Sequence, residues 1–405
     1  MQILPIGSGK GGVGKTMLAA NLGILLSRLN QRVTLLDADL GASNLHTALG
    51  VPYLKKTLND LLTGNASHLS QLAEETPIPE LSLIGGSRVL PAYPDYKIQL
   101  SRKIQGGIAD LDTDILIIDL GAGISPEALD LFLLSDHGIV VATNDPSSIQ
   151  NAYQFLKMAV FRKILQAFPN NSLISYMIHA ATHRRTRDTV CSIPDLLDRI
   201  YRVDHYYEEV ITRLMERFSP RIIVNMVDRV DDERAAHVVA SVSQKFAGIS
   251  PKLLGTLEYS AGIKDATLRL RPFTLDPSNG KATEQLSLIA HRIFEQEIAP
   301  QGVQPAIEES AVLEDAPRRQ RKEVWCMDNI EYENCPLHIL TEKLSQSGMI
   351  QTSVYSAGKI LFAKKMVYPE LAEREDNGES LEKAVRKQHL TAIKGIQSGR
   401  LSFNP

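Results

Sequence analysis

The chain has 405 residues, 43% hydrophobic and 22% charged, with 44 Lys and Arg against 47 Asp and Glu and a formal net charge of -3. That length supports one large domain with a smaller appendage, and the near balance of charge excludes a global electrostatic drive toward nucleic acid or anionic lipid. The three cysteines, Cys191, Cys326 and Cys335, lie far apart without CxxC spacing; this excludes a disulfide framework and points to the reducing cytosol, and no apolar run approaches the roughly 18 residues of a membrane span.

The first element is a short apolar strand through Ile3-Leu4-Pro5-Ile6. Pro5 deletes a ladder hydrogen bond there, so a bulge or a shortened strand is expected. GSGKGGVGKT follows at residues 7–16, then an apolar helix over 17–29. Further β-rich apolar runs occupy 31–39, 81–86, 114–120, 137–144, 221–227 and 252–259, separated by helical patterns. Their hydrophobicity is continuous rather than alternating, which suits strands buried on both faces. The fold class is therefore α/β: a doubly wound, mostly parallel sheet, with its ligand at the carboxyl ends of the strands.

The stretch between residues 144 and 221 is too long for one crossover helix, so a helical insertion is expected at about 163–218. Within it Leu196, Leu197, Ile200, Val203, Tyr207, Val210, Ile211, Leu214 and Phe218 recur at helical spacing and predict one long amphipathic helix packed on the core. The basic run 183–187 is the best anion-binding candidate outside the loop at 7–16. The α/β domain is expected to span 1–298, with a linker rich in Pro, Gln and acidic residues at 299–323 and a small α+β module at 324–405. In that module the sequence suggests a helical stretch around 337–344, a hairpin turning at Ala357-Gly358, and a terminal helix over 380–397. Leu381, Val385, Ala392, Ile393 and Ile396 share one face of that helix and Lys383, Arg386, Lys387 and Lys394 the other, a pattern open to packing or to an interfacial anchor.

Residues 9–16 fit G-x-x-x-x-G-K-[ST] between a strand and a helix. Gly9, Gly11, Gly12, Val13, Gly14, Lys15, Thr16 and Met17 form the expected nucleotide cradle. The glycines let backbone N–H groups wrap phosphates, Lys15 reaches the β and γ phosphates, and Thr16 ligates Mg²⁺.

The loop KGGVGKT resembles that of the MinD/ParA family of deviant P-loop ATPases. The resemblance implies that Lys10 crosses a dimer interface to the nucleotide of the other subunit; five residues before Lys15, it is badly placed for its own γ-phosphate and well placed at the loop rim. Asp37-Ala-Asp39-Leu-Gly41 is similar to the family's DxDxG switch, which implies that Asp39 orients the attacking water and Asp37 contacts the Mg²⁺ shell. The strand 115–119 ends in Asp119, which the resemblance makes the Walker B acid holding Mg²⁺ through water, with mobile glycines after it. DLGAGIS and TNDPSSIQNAYQFLK look closest to the FlhG branch, MinD-like regulators of flagellar number and placement. In the family the asparagine at the strand end occupied here by Asn225 contacts adenine. Asn225-Met226-Val227-Asp228 lacks the lysine of the guanine-reading N-K-x-D motif, which favours ATP over GTP.

The function implied is an ATP-dependent dimerising switch in spatial organisation: flagellar placement, division-site or polar positioning. Its cofactors are ATP and Mg²⁺; its partners are a second copy of the chain, a protein that stimulates slow hydrolysis and, peripherally, the inner face of the cell membrane. Two alternatives stay open, a ParA-like DNA segregation ATPase and an ATP-dependent metabolic synthase of the same fold. The first needs a basic dimer surface, for which only 184–187 and 318–322 offer material, so nucleic acid is the weaker partner; the second needs a substrate pocket that no further motif supplies.

Overall fold

The computed structural model describes residues 1–86, 96–169, 171, 174–175, 177–178, 192–201, 205–295, 325–332, 335–343, 349–356, 359–367, 378–398 and 400–401. The chain divides into two compact units, Met1–Pro169 with Cys191–Gly302, and Asn170–Val190 with Val303–Pro405. The basic run at 183–187, the cluster at 318–322, the linker and the Ala357-Gly358 turn lie outside the described residues.

The first unit alternates strands and helices: β1 (Gln2–Gly7), α1 (Lys15–Ser27), β2 (Val33–Ala38), α2 (Leu45–Ala48), α3 (Leu58–Thr63), β3 (Glu74–Glu75), β4 (Leu81–Ile84), α4 (Tyr96–Gly107), β5 (Ile115–Leu120), α5 (Pro126–Phe132), β6 (Ile139–Ala142) and α6 (Pro146–Ala167). It continues with α7 (Ile193–Tyr201), α8 (His205–Arg217), β7 (Arg221–Val227), α9 (Arg234–Ala247), β8 (Lys252–Glu258), α10 (Ala261–Leu268) and α11 (Gly280–Ile293). The eight strands form one sheet in the order β3-β4-β2-β5-β1-β6-β7-β8. Every pairing is parallel except β3 with β4. β1 sits where the order turns, with β5, β2 and β4 on one side and β6, β7 and β8 on the other, so the crevice beyond its carboxyl end is the natural ligand position of such a sheet.

All six residues of β2 and all six of β5 are buried, as continuous apolar strands covered on both faces must be. α1 is apolar nearly all round and runs through the core, where Leu18, Leu22, Ile24 and Leu26 are almost wholly buried. At Gly23 a Cβ would stand 2.9 Å from Leu35, so α1 lies directly on β2 there.

Pro5 causes no bulge: β1 pairs with β5 in unbroken register from Gln2 to Ile6, including Pro5 opposite Ile118. Pairing with β6 starts only at Ile6, so at Pro5 that edge of the strand carries no ladder, and the missing N–H is tolerated. The single amphipathic helix expected over 196–218 is two helices, α7 and α8, packed on each other; α7 also contacts α9, and α8 contacts α6. Leu196, Leu197, Ile200, Ile211 and Phe218 are buried, so the apolar stripe does serve the core.

The second unit contains β9 (Trp325–Tyr332), β10 (Cys335–Lys343), β11 (Met349–Ser356), β12 (Lys359–Val367) and α12 (Gly378–Gln397). The strands form an antiparallel meander, β12-β11-β10-β9. The helix expected around 337–344 is the strand β10. Leu337, Leu340 and Leu344 mimic helical spacing, but Leu337, Ile339 and Thr341 are buried at period two and pairing with both neighbours decides the outcome. The hairpin β11–β12 forms as the sequence suggests. α12 lays Ala392 and Ile396 against Leu337, Ile339 and Val354, and Val385 is also buried. The described part of its apolar stripe thus packs on its own sheet; among its described residues Leu390 is an exposed large hydrophobic residue. Beneath the helix His389 Nδ1 meets Thr341 Oγ1 at 3.0 Å, Thr341 meets Thr352 at 2.8 Å, and Gln388 Nε2 donates to Thr352 at 3.0 Å. Among the described residues no helix is long and apolar enough to cross a membrane.

Candidate functional site

The loop 7–16 leaves β1 and wraps back to start α1. Gly12 at φ 79° and Gly14 at φ 92° occupy the left-handed region that favours glycine, and Gly14 caps the helix. Gly9 is required by proximity instead: a Cβ there would overlap the backbone oxygen of Asn151 in α6. Lys15 is buried, and its ammonium donates to Ser8 Oγ at 2.9 Å while that hydroxyl donates to the Lys10 carbonyl at 2.7 Å. Gly123 N–H donates to the Ser8 carbonyl at 3.0 Å, tying the loop to the turn after β5.

Sheet register brings the acids to this loop. Asp37 on β2 stands opposite Asp119 on β5, and Asp119 stands opposite Ile6 on β1, one residue before the loop. Burial pushes the Asp119 carboxyl up to about 8, the Asp37 charge adds to the rise, and Thr16 and Lys15 oppose it. Burial pushes Lys15 below its ordinary value, against the pull of Asp119 and Asp39. Asp37 is also raised by burial, offset by hydrogen bonds from Ser43 Oγ at 2.7 Å, Leu45 N–H at 2.9 Å and Asp39 N–H at 3.1 Å. Both Asp37 oxygens therefore brace the segment 39–45. Asp39 is half-buried beside Gly121, whose Cβ would come within 3.0 Å of Asp39 Oδ1.

A divalent cation fits this arrangement. Asp119 Oδ1 is buried and finds no hydrogen-bond partner among the described residues, the condition of an oxygen reserved for a cation or its water. Among the described residues no group of three His, Cys, Asp or Glu could hold a metal by itself.

Beside the loop lies a cavity of about 290 Å³ lined by Gly14, Met17, Asn225, Met226, Tyr259 and Leu268 among others. Its walls are predominantly apolar, as suits a flat aromatic ligand. Asn225 is 1% exposed and donates from Nδ2 to the Val13 carbonyl at 2.8 Å. Lys10 is apart from the Lys15–Asp119 cluster: its ammonium donates to Ser147 Oγ at 2.9 Å, at the start of α6.

Residues 4–273 match the CobQ/CobB/MinD/ParA nucleotide binding domain. The chain belongs to this family. It is similar to the antiactivator FleN of Pseudomonas aeruginosa, at 32% identity over 168 residues, 39% of this chain and 56% of FleN. It is also similar to the flagellum site-determining protein YlxH of Helicobacter pylori, at 33% over 167 residues, 39% of this chain and 53% of YlxH. An ATP-binding protein of Methanocaldococcus jannaschii matches at 29% over 245 residues, 60% of this chain and 87% of the relative. The chain thus spans about half the length of FleN and of YlxH. The chain is also similar to the solved septum site-determining protein MinD of Pyrococcus horikoshii, complexed with Mg-ADP, at 20% identity with a TM-score of 0.49, covering 74% of this chain and 97% of that one.

The family's contiguous motif was legible in the sequence; four neighbouring residues were not. Ser8, which seats Lys15, is a lone serine in a glycine-rich loop. Ser147, which holds Lys10, is 137 positions away from it. Tyr259 and Leu268 reach the cavity only because β8 and α10 lie beyond β7 at the sheet edge, a long-range pairing that no local pattern encodes.

Proposed function

We propose that this chain is a Mg²⁺-dependent ATPase that dimerises with ATP and separates after hydrolysis, acting as a switch in spatial organisation of the flagellar kind. The observation that carries the reading is the convergence of Lys15, Thr16, Asp39 and Asp119 on a loop capped by a left-handed Gly14, at the point where the sheet order turns. In this reading Lys15 offsets charge on the β and γ phosphates, and Thr16 and Asp119 hold Mg²⁺, which neutralises charge on the transferring phosphoryl group. Asp39 aligns the attacking water, while Asp37 keeps the segment that carries Asp39 in place. The cavity beside Gly14 receives adenine. Lys10 leaves Ser147 and reaches the nucleotide of a second copy; its position at the loop rim supports this. Hydrolysis is slow until a protein partner completes the site. The nucleotide domain spans 1–298, and the names of FleN and YlxH support a flagellar role.

Light scattering with Mg-ATP, Mg-ADP and no nucleotide, paired with phosphate release, tests the reading. A doubling of mass with ATP alone, strongest for Asp39→Ala, is expected. One unchanged mass in all three conditions, or no affinity for adenine nucleotides, would overturn it.

A further inference from the structure

The end of β7 is deformed in a way that base recognition alone does not require. Met226 adopts φ 58°, a left-handed conformation that a non-glycine side chain takes at an energetic cost, and the pairing of β7 with β8 shifts register between Asn225 and Val227. In a regular strand Asn225 and Met226 would face opposite sides of the sheet. Here both border the same cavity, together with Gly14 and Met17. Directly before the distortion, the Asn225 amide contacts the phosphate loop.

The contact made there is specific. Nδ2 of Asn225 donates to the Val13 carbonyl at 2.8 Å, and because a carbonyl only accepts, the amide orientation is fixed. A Cβ on Gly14 would overlap the same nitrogen, so the amide fills the space that glycine leaves open. The backbone bond Leu18 N–H to Gly14 carbonyl opens the α1 ladder, and the Val13 carbonyl lies one residue before it. A planar trans peptide holds the Val13 C=O and the Gly14 N–H antiparallel, so seating the carbonyl on Asn225 turns that N–H to the opposite side.

We propose that Asn225 is a positioning residue of the phosphate loop: by holding the Val13 carbonyl it aims the Gly14 N–H at bound phosphate, whether or not a base fills the neighbouring cavity. The proposal rests on the nucleotide-site reading above. It differs from a base-reading role, in which the amide would matter only to ligands that carry a purine.

Mg-tripolyphosphate, which has no base, separates the two. Calorimetric titration of wild type and Asn225→Asp with Mg-tripolyphosphate and with Mg-ATP is expected to show a loss of tenfold or more for both ligands, by the same factor, at pH 8. There the buried carboxylate faces a carbonyl with no hydrogen to share. At pH 5.5 the protonated acid can donate to Val13, so the loss relative to wild type at that pH should shrink. A variant that weakens ATP yet binds tripolyphosphate as wild type does would overturn the proposal, as would one that leaves both affinities unchanged. Wild-type protein that binds neither ligand would instead overturn the nucleotide site itself. Should Asn225→Asp lack a thermal transition, Asn225→Ser replaces it; its hydroxyl is too short to reach Val13, and an equal loss for both ligands without pH dependence is expected, whereas an unchanged tripolyphosphate affinity overturns the proposal.

Discussion

Replacing Asp119 by Asn should stabilise the nucleotide-free protein while weakening its hold on Mg-nucleotide. The carboxyl is raised from 3.8 to about 8, chiefly by burial, and each tenfold change in its ionisation equilibrium corresponds to about 1.4 kcal/mol. The ceiling on the cost of ionising it in the folded chain is therefore about 5–6 kcal/mol above pH 8. Lys15 is attracted by the Asp119 charge and loses that counter-charge in the variant, so a net gain of about 2–3 kcal/mol at pH 8 is expected. A carboxyl with a folded value above its unfolded value takes up a proton on folding across the interval between the two. Stability of the wild-type protein without nucleotide should therefore fall as pH rises from about 4 to about 8, and the Asp119→Asn substitution should flatten that slope. Urea unfolding at pH 5, 6.5 and 8, without nucleotide, measures both effects. A variant less stable than wild type at pH 8, or one that keeps the full slope, would refute the reasoning.

Gly9→Ala drives a methyl into the Asn151 backbone, and because helix backbone cannot yield as a side chain tip can, a loss of tenfold or more in nucleotide affinity is expected by calorimetry. Lys10→Ala removes an exposed contact to Ser147; thermal unfolding should shift by less than about 0.5 kcal/mol while the ATP-dependent mass increase disappears in light scattering. Ile396→Ala opens a hole where α12 meets Leu337, Ile339 and Val354, and should destabilise the second unit by about 2–5 kcal/mol in a denaturant titration while nucleotide affinity stays within twofold.

The parts of the site that could be read from sequence share one property: their chemistry is encoded within a few consecutive residues. The glycine spacing before Lys15 and Thr16 dictates a phosphate loop, and the apolar run into Asp119 dictates a buried strand with an acid at its end. Asp37 was legible as a member of the site but not in its local role, since its bonds to Ser43 and Leu45 depend on how 39–45 folds back. The second unit shows the opposite limit. Residues 335–343 carry helical and strand patterns at once, and only the antiparallel partners on both sides select the strand. Pro5 teaches the same lesson from the other direction, because its cost depends on where β6 begins, and that start is written more than 130 residues downstream.

At Gly9 two stretches of main chain press against each other with nothing flexible between them, and α6 continues from that point of touch for most of its 22 residues. A helix of that length is about 33 Å of stiff rod. Whatever displaces the loop by an ångström must therefore push the rod as well, and with it α8 and α9, which pack along its side.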